Sequence, residues 1–376
     1  MLPGNPVGIR FVVKKDLTGG GSPFQETDLV AQPSELLAII SALRSPLNLP
    51  STFTLRYYIG ATLLALDFGL GTGRTFKLSI ERGNQDLKRV VAEAFGVAVA
   101  SLLMVRDLRA DFSTFVQVQS NHLVRRVPGG RSLRPDLYFD TTSGHSLLEC
   151  KGTTWAPSKT RMLRAAVNQV KGARLVSYPI SGTFIACTFV PLEGDPRNPT
   201  IWAGDPVAND EALSHLLLQD RVATRGIWLH YSRVANMAGL PKLAAHALVQ
   251  SMEPVRKKPT RQDLTNELAS VSSKTVKIAG RECIGTRVSI PILSPKAPQD
   301  LACPRYEVDI GLDVRYAQIL MDEEPNFSEL ESIKQRTSTC ETILSDGVAL
   351  RISAITDKEQ LDPTSWWSSE DTQSQR

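Results

Sequence analysis

Apolar positions between residues 84 and 190 follow two different periods, which predict the order of the elements there. From Asn84 to Leu108 they recur every three or four residues, as in a helix with a wide buried face. Ser158 or Thr160 can cap a second helix that runs to about Ser177. The predicted strands, the last a continuous apolar run typical of a buried central strand, are Phe112–Gln119, Leu137–Asp140, Ser146–Lys151 and Thr183–Val190. The predicted order is helix, three strands, helix, strand.

Residues 1–83 are predicted to form an N-terminal α+β region. A strand-like run extends from Val7 to Val13, a helix-like stretch from Ser34 to Leu43, and residues 53–80 have the pattern of a β-hairpin around Gly69–Gly73. This glycine cluster lacks the G-x-G-x-x-G spacing, the P-loop lysine and the following helix of a nucleotide-binding loop. We therefore interpret it as a hairpin turn.

A domain over residues 84–252 is predicted to include two further helices, Glu211–Gln219 and Val234–Met252. The charged, proline-bearing residues 253–261 indicate a linker. Residues 262–356 are predicted to be a smaller, mainly β domain with helical insertions, and residues 357–376 have the composition of a disordered tail. The strands predicted in the smaller domain are Thr275–Ile278, Gly285–Ile290, Tyr306–Leu312 and Gly347–Ile355.

The segment from Asp136 to Lys151 predicts a β-hairpin, because Ser143-Gly144 is a turn signal between two strand-like runs. With that pair at the centre of the turn, Asp136 lies opposite Lys151 and Tyr138 opposite Glu149. Side chains alternate along a strand, so these four share one face, with Leu147 as its apolar exception. The opposite face is expected to enter the core, and it carries Leu137, Phe139, Leu148 and Cys150.

Two carboxylates on neighbouring strands beside an ammonium are the groups that hydrolysis of a phosphodiester requires. Hard oxygen ligands hold Mg²⁺ or Mn²⁺, and such an ion neutralises charge on the phosphate and lowers the pKa of a bound water. Asp136 and Glu149 are the candidate metal ligands, and the backbone carbonyl of Cys150 is a third. Lys151 can orient the attacking water or stabilise charge that develops on the phosphate.

With Pro135-Asp136 followed by Glu149-Cys150-Lys151 in this order of elements, the chain resembles the PD-(D/E)xK nucleases, the restriction-endonuclease-like superfamily. The resemblance implies an α/β fold with an α-β-β-β-α-β core and a mixed central sheet flanked by helices. It also implies that Asp136 and Glu149 bind the metal and that Lys151 assists hydrolysis. The alternative for the three residues is a solvated strand face with a surface salt bridge.

Two helical residues match supporting positions of that superfamily. Glu93 is the charged residue within the stretch from Val90 to Val105, and superfamily members often carry a helix carboxylate near the metal. An equally open alternative is a polar residue at the edge of the buried stripe. Gln169 stands where some subfamilies carry a glutamine that touches the site, but Ala173 occupies the place of the usual tyrosine. The subfamily is therefore not identified.

Positive charge is concentrated in the same part of the chain. Residues 121–174 hold ten Lys and Arg against three acids, a net +7, which leaves −3 for the rest of a chain whose formal charge is +4. The second helix places Arg161, Arg164, Asn168 and Lys171 on one stripe, which either follows a phosphate backbone or is a solvated face. Further candidates for backbone contacts, in the Gly-containing loop before the hairpin, are Arg125, Arg126, Arg131 and Arg134.

Composition excludes several other classes of protein. No apolar run approaches the length of a membrane span, and the N-terminus lacks the pattern of a signal peptide, so a cytoplasmic protein is expected. Five scattered cysteines without a C-x-x-C pair argue against a disulfide framework or a zinc site. The five histidines form no zinc-hydrolase pattern, and no G-x-S-x-G elbow or Walker A lysine occurs. His122 beside the basic loop is either an auxiliary base or a structural residue.

The sequence thus predicts a magnesium-dependent nuclease that acts on nucleic acid, DNA in the first place, within restriction, phage defence, transposition or repair. The alternative is a nucleic-acid-binding or scaffolding subunit that has kept the fold without turnover. Asp136, Glu149 and Lys151 are all present, which favours the enzyme. A protein partner or a second copy of the chain is expected to bind through the C-terminal domain.

Overall fold

A computed structural model provides the structure of the chain. The sequence predictions for His122, Arg131, Arg134, residues 71–73 of the glycine cluster, residues 253–257 of the linker and the tail at 357–376 lie outside the residues it describes. The described residues are 8–16, 25–44, 59–63, 69–70, 76–78, 80, 84–118, 124–126, 135–142, 144–171, 174–175, 180–205, 215–218, 222–251, 258–272, 275–291, 305–322, 325, 335–338 and 340–355.

Seven α-helices are labelled in the described part of the chain. They are α1 Pro33–Arg44, α2 Gln85–Leu108, α3 Lys159–Lys171, α4 Val222–Met237, α5 Pro241–Gln250, α6 Arg261–Ser272 and α7 Val314–Ile319. Residues 59–63 are also helical.

Eighteen strands are labelled among the described residues. They are β1 Ile9–Asp16, β2 Gln25–Ala31, β3 Gly69–Leu70, β4 Lys77–Leu78, β5 Val116–Gln117, β6 Val124–Arg126, β7 Leu137–Thr141, β8 Gly144–Thr153, β9 Arg174–Leu175, β10 Ile180–Phe189, β11 Thr200–Gly204, β12 His215–Leu218, β13 Val276–Ile278, β14 Arg281–Pro291, β15 Arg305–Asp313, β16 Arg336–Thr337, β17 Glu341–Ile343 and β18 Val348–Ile355.

The main sheet has seven strands in the order β2-β1-β11-β10-β8-β7-β5. It is mixed, because β8 runs parallel to β10 and β1 parallel to β11, while the other pairs of neighbouring strands in this sheet are antiparallel. Helix α2 packs on one face of β8 and β10, and α3 packs on the other face of the same strands. The predicted α/β class, with a mixed sheet flanked by helices, is therefore confirmed.

Helix α2 confirms the most regular apolar pattern of the sequence. The Asn84 side chain caps it by accepting a hydrogen bond from the Leu87 amide at 3.0 Å. Arg109 ends it in the left-handed region, with φ of 52°. Ala94, Phe95 and most of the other apolar side chains of α2 are buried against the main sheet.

The N-terminal region extends the main sheet, since β1 pairs with β11 and carries β2 at the edge. The predicted hairpin around the glycine cluster is confirmed by the pairing of β3 with β4. Its first arm was predicted as a strand throughout, and this is wrong at residues 59–63, which are helical and buried. A continuous apolar run does not distinguish a buried helix from a buried strand by its period.

Two predicted boundaries around the core elements are wrong. The strand predicted over Phe112–Gln119 is a 3-10 turn at Phe112–Thr114 followed by the two-residue strand β5. Asp111 causes the turn, because its side chain accepts a hydrogen bond from the Ser113 amide at 2.9 Å. The second core helix ends at Lys171 rather than near Ser177, and β9 begins three residues later.

Two helix predictions after residue 205 also fail. Residues 215–218 within the predicted helix Glu211–Gln219 form strand β12, which pairs with β6 and β9 in a small separate sheet. The predicted helix Val234–Met252 is two helices, α4 and α5. Gly239, with φ of 78°, and Pro241 at the start of α5 separate them, because neither residue type continues a helix.

The C-terminal residues form a second, antiparallel sheet in the order β13-β14-β15-β18-β17-β16. The strands predicted there are confirmed as β13, β14, β15 and β18. This sheet packs against α1 and α4, and a buried hydrogen bond of 2.7 Å joins His230 of α4 to Asp346. The division of the chain into domains stays a prediction. Within the described residues no helix is both long and apolar enough for a membrane span.

Candidate active site

The hairpin that carries the candidate residues is formed by β7 and β8, but its predicted register is wrong by two residues. Leu137 pairs with Leu148 and Tyr138 with Leu147, whereas the prediction placed Tyr138 opposite Glu149. Gly144, which was assigned to the turn, instead pairs with Thr141 as the first residue of β8. A shift of two residues leaves every side chain on its predicted face, because side chains alternate with a period of two.

The two faces of the hairpin confirm the predicted alternation. Leu137, Phe139, Leu148 and Cys150 are buried in the main hydrophobic core, beneath α2. The other face carries Glu149 and Lys151, and α3 covers it through a smaller cluster that comprises Ala166, Val170 and Ile185 of β10. The polar face is therefore enclosed between the sheet and a helix.

Asp136 stands where the pairing of β7 with β8 stops, one residue before the Leu137–Leu148 pair. Its carboxylate Oδ2 accepts a hydrogen bond of 2.9 Å from the Cys150 amide. The Cys150 amide of β8 therefore donates to this side chain and not to a backbone carbonyl of β7. Its own carbonyl accepts one from the Val118 amide at 3.0 Å. These bonds hold the Asp136 carboxylate beside β8 at the level of Glu149.

Glu149 is fully buried, with none of its surface exposed. Oε1 accepts a hydrogen bond from the ammonium of Lys151, two residues further along the same strand. Oε2 is also buried and has no hydrogen-bond partner among the described residues. A buried carboxylate oxygen without a donor is costly and calls for another ligand.

The pKa of Glu149 is raised to about 8, first by burial and then by the nearby charge of Asp136, although Lys151 and the Asp136 amide act to lower it. Burial alone would favour the neutral amine of Lys151, but the carboxylates of Glu149 and Asp136 raise its pKa overall. The ammonium is thus retained, and Glu149 is the group of the pair that exchanges its proton near neutral pH.

We expect the free energy of unfolding of the metal-free protein to depend on pH through Glu149. Its pKa is higher in the folded protein than the ordinary value of 4.5, so the folded state retains a proton that the unfolded chain has released. Stability from this group is full below about pH 4.5 and is lost as pH rises to about 8, by about 1.4 kcal/mol per unit of raised pKa.

Urea unfolding of the wild type and of Glu149→Gln, in EDTA and across this pH range, measures the effect. The difference in stability should move in favour of the glutamine variant as pH rises. Parallel pH profiles for the two proteins would contradict the raised pKa.

The groups present fit a hard divalent cation. Two carboxylates and the Cys150 carbonyl provide oxygen ligands, and the unpartnered Oε2 of Glu149 is the atom that most requires a cation. Within the described ranges, no group of three or more His, Cys, Asp or Glu side chains is placed to hold a metal ion. A site here therefore depends on backbone carbonyl and water oxygens in addition to the two carboxylates.

The two supporting residues lie on the two helices that pack against β8. Glu93 is exposed on α2, next to Ala92, whose carbonyl lies against Gly152 of β8. Gln169 is half-buried on α3, the helix that covers the polar face. Their roles stay predictions.

The predicted basic residues that the structure describes lie on two elements, α3 and β6. Arg161 and Arg164 are exposed on α3 together with Asn168, which leaves their stripe open to solvent, and Lys171 ends that helix. Arg125 and Arg126 were predicted in a loop, and this is wrong, because both belong to strand β6 and pair with β12.

A second polar cluster on the same hairpin face was not identified from the sequence. The Tyr138 hydroxyl donates a hydrogen bond of 2.6 Å to Asp140 and lies 2.7 Å from Nδ1 of His145. Burial, with the charge of Asp140, raises the pKa of Tyr138, so the phenol stays protonated. Leu147 lies between this cluster and Glu149 on the strand face. The side chains of Tyr138, Asp140 and His145 fix the closed end of the hairpin.

Sequence reasoning also missed the exposed Trp155, which follows β8, and the close approach of Gly152 to α2.

Comparisons with protein families, with curated proteins and with solved structures found no match to this chain. The chemistry of the site is therefore inferred from its own residues.

Proposed function

We propose that the chain is a metal-dependent nuclease of the restriction-endonuclease-like type, with Asp136, Glu149 and Lys151 at its active site. The observation that carries this proposal is the buried Glu149 carboxylate, with one oxygen on Lys151, the other without a hydrogen-bond partner among the described residues, and Asp136 beside it. The two flanking helices and the strands of the main sheet support the fold, since α2, β5, β7, β8, α3 and β10 follow the α-β-β-β-α-β order of that superfamily, with β6 and β9 of the small separate sheet inserted between them.

Asp136, Glu149 and the Cys150 carbonyl are the groups that would hold Mg²⁺ or Mn²⁺. A bound ion of this kind neutralises charge on a scissile phosphate and provides hydroxide at neutral pH. The Cys150 amide orients the Asp136 carboxylate through its 2.9 Å hydrogen bond. The fixed backbone of β8, paired with β10 on its other side, spaces Glu149 and Lys151 at alternate positions of one strand.

Lys151 provides the positive charge that phosphate chemistry needs. Its ammonium is held by Glu149 and stays protonated, so its N–H groups can donate to a phosphate oxygen or to an attacking water. Partial burial of the Lys151 side chain strengthens such interactions, because less water screens them than at an exposed surface. Electrostatic stabilisation of this kind is usually the largest contribution to catalysis.

Nucleic acid is the substrate class that suits the surrounding charge, and we propose DNA in the first place. Arg161 and Arg164 are exposed on the helix that covers the site, within a segment whose net charge is +7. The stripe belongs to α3, which packs against β8, the strand that carries Lys151, so a phosphate backbone bound along the stripe would lie on the same side of the sheet as the site.

We expect the Arg161→Glu/Arg164→Glu double variant to bind duplex DNA more weakly than the wild type. Each phosphate contact that is lost should reduce the log–log salt slope by about 0.9, so two lost contacts give a change of about 1.8. Fluorescence anisotropy over a series of salt concentrations measures both quantities.

Arg261→Glu/Arg315→Glu is the matched control, since it changes the same charge on α6 and α7, at exposed positions of the C-terminal region. An equal loss of affinity in both double variants would mean that net charge alone matters. An unchanged salt slope for the α3 variant would show that its stripe is a solvated face.

The proposed function is tested by incubating the full chain with labelled single- and double-stranded DNA and RNA, in Mg²⁺, in Mn²⁺ and in EDTA. Cleavage of at least one substrate that stops in EDTA, and is absent with Asp136→Asn, is the expected result. Tight binding without cleavage of any substrate would favour the scaffolding alternative.

A further inference from the structure

Trp155 is the large hydrophobic side chain that stands out from the described surface, with 65% of its surface exposed. It follows β8 and precedes the 3-10 turn Ala156–Ser158, which leads into α3. Exposure of an indole costs free energy, because its apolar area stays in contact with water. An aromatic ring held in this way is available for a partner with a flat apolar face.

The backbone of Trp155 is fixed although its side chain is exposed. Its amide donates to Thr153 Oγ1 at 3.0 Å, and its carbonyl accepts from the Ser158 hydroxyl at 2.6 Å and from the Ser158 amide at 3.1 Å. Pro157 further restricts the turn. The ring is thus presented from a rigid support, which lowers the entropy lost when a partner binds.

Trp155 lies near the candidate active site, four residues after Lys151 on the same chain segment. Four residues span at most about 14 Å, the length of about four nucleotides of a stacked strand at ~3.4 Å each. A base stacked on Trp155 would therefore lie within the length of a few nucleotides of a phosphate at Lys151.

The sheet face beside Lys151 carries cationic and aromatic groups. Lys151 is level with Cys187 of β10, which is level with Trp202 of β11. The Lys159 ammonium, at the start of α3, lies 4.7 Å from the centre of the Trp202 ring. Beyond it, Arg161 and Arg164 are exposed on α3. Cationic side chains next to aromatic rings are typical of surfaces that bind single strands.

We propose that Trp155 is a stacking site for an unpaired nucleobase next to the cleaved phosphate. The assignment rests on the proposed nuclease function and narrows its substrate to nucleic acid with a single-stranded or unpaired stretch at the site. A protein partner fits less well, because the buried centre of a protein interface is depleted of charged residues and needs a larger apolar patch than one ring.

The test measures binding by the full chain in a Glu149→Gln background, so that the probe stays intact. The probes are a fluorescein-labelled single-stranded DNA and the same sequence as a blunt duplex. Trp155→Ala should weaken single-strand binding by about 5- to 150-fold, the range for loss of one base stack, with much less effect on the duplex. Trp155→Phe keeps a ring and should recover most of the affinity.

Unchanged single-strand affinity in Trp155→Ala overturns the proposal, as does an equal loss in Trp155→Ala and Trp155→Phe. A change in oligomeric state with unchanged DNA affinity would assign Trp155 to a protein contact and also overturns it. Failure of the nuclease function is recognised separately, by the absence of metal-dependent cleavage in the protein that retains Glu149. Because Trp155 is exposed, its variants should unfold at the same urea concentration as their parent.

Discussion

Lys151→Ala should lose at least about 100-fold in the rate of metal-dependent cleavage, the magnitude measured when one preorganised electrostatic donor is removed. The Lys151 ammonium is the cation held at Glu149. Strand β8 is fixed by its pairing with β10, so another residue of that strand cannot move into the position of Lys151. The fold should survive, because Glu149 can take up a proton when its partner is absent. Single-turnover kinetics, with circular dichroism as a check of folding, measure the effect.

Lys277→Ala is the control, since Lys277 is an exposed strand lysine of β13 in the second sheet. It should cleave at the wild-type rate. Full activity in Lys151→Ala would remove this residue from the mechanism.

Gly152→Ala should lower the free energy of unfolding by about 3 kcal/mol or more, at the upper end of overpacking effects. A Cβ at Gly152 would lie 1.6 Å from the Ala92 carbonyl oxygen of α2, and backbone cannot move aside as a flexible side chain can. Gly96 of α2 faces the same point, and a Cβ there would lie 2.9 Å from the Gly152 amide. Helix and strand would have to separate beside Lys151, so cleavage should fall as well.

Gly226→Ala is the matched control for this substitution. It also adds one methyl group near the hairpin, but the nearest atoms, on Tyr138 and Val116, lie at an ordinary 3.6 Å. Within α4, alanine should be neutral or should raise stability by about 0.5–1 kcal/mol. Urea unfolding compares the two variants, and similar midpoints would contradict the close approach of α2 to β8.

The sequence was sufficient to place the candidate residues on one face, although it led to the wrong register. The turn signal was read at Gly144, whose φ of 121° in fact belongs to the first residue of β8. Because strand side chains alternate with a period of two, a two-residue slip kept Glu149 and Lys151 on the polar face. A slip of one residue would have sent Glu149 into the core.

Elements with long, regular periods were predicted well, and short or apolar ones were not. Helix α2 was found nearly to the residue, since 24 residues repeat one pattern. Strand β12 was mistaken for a helix, because its pairing with β6 and β9 is set by tertiary contacts. The place of β1 within the main sheet depends in the same way on β11, far along the chain.

The electrostatics of the site also lay beyond the sequence. Nothing in the pattern around Glu149 indicates that its carboxylate is fully buried, with one oxygen that lacks a partner among the residues the structure describes, since that follows from the packing of α3 over the strand face. The same packing raises its pKa. Trp155 could not be distinguished by sequence from a core aromatic, because exposure is decided by the turn between β8 and α3.

The most direct test of the account is a calorimetric titration of the metal-free chain with Mg²⁺ and Mn²⁺, at a mildly alkaline pH where Glu149 is ionised. The account predicts a binding event in the wild type that is weakened at least about tenfold in Asp136→Asn, since even indirect contacts to a metal are worth that much. The side-chain carbonyl oxygen of the substituted asparagine can still accept from the Cys150 amide, so the fold should be kept. Equal cation affinity in the wild type and in Asp136→Asn would contradict a metal site at the end of this hairpin.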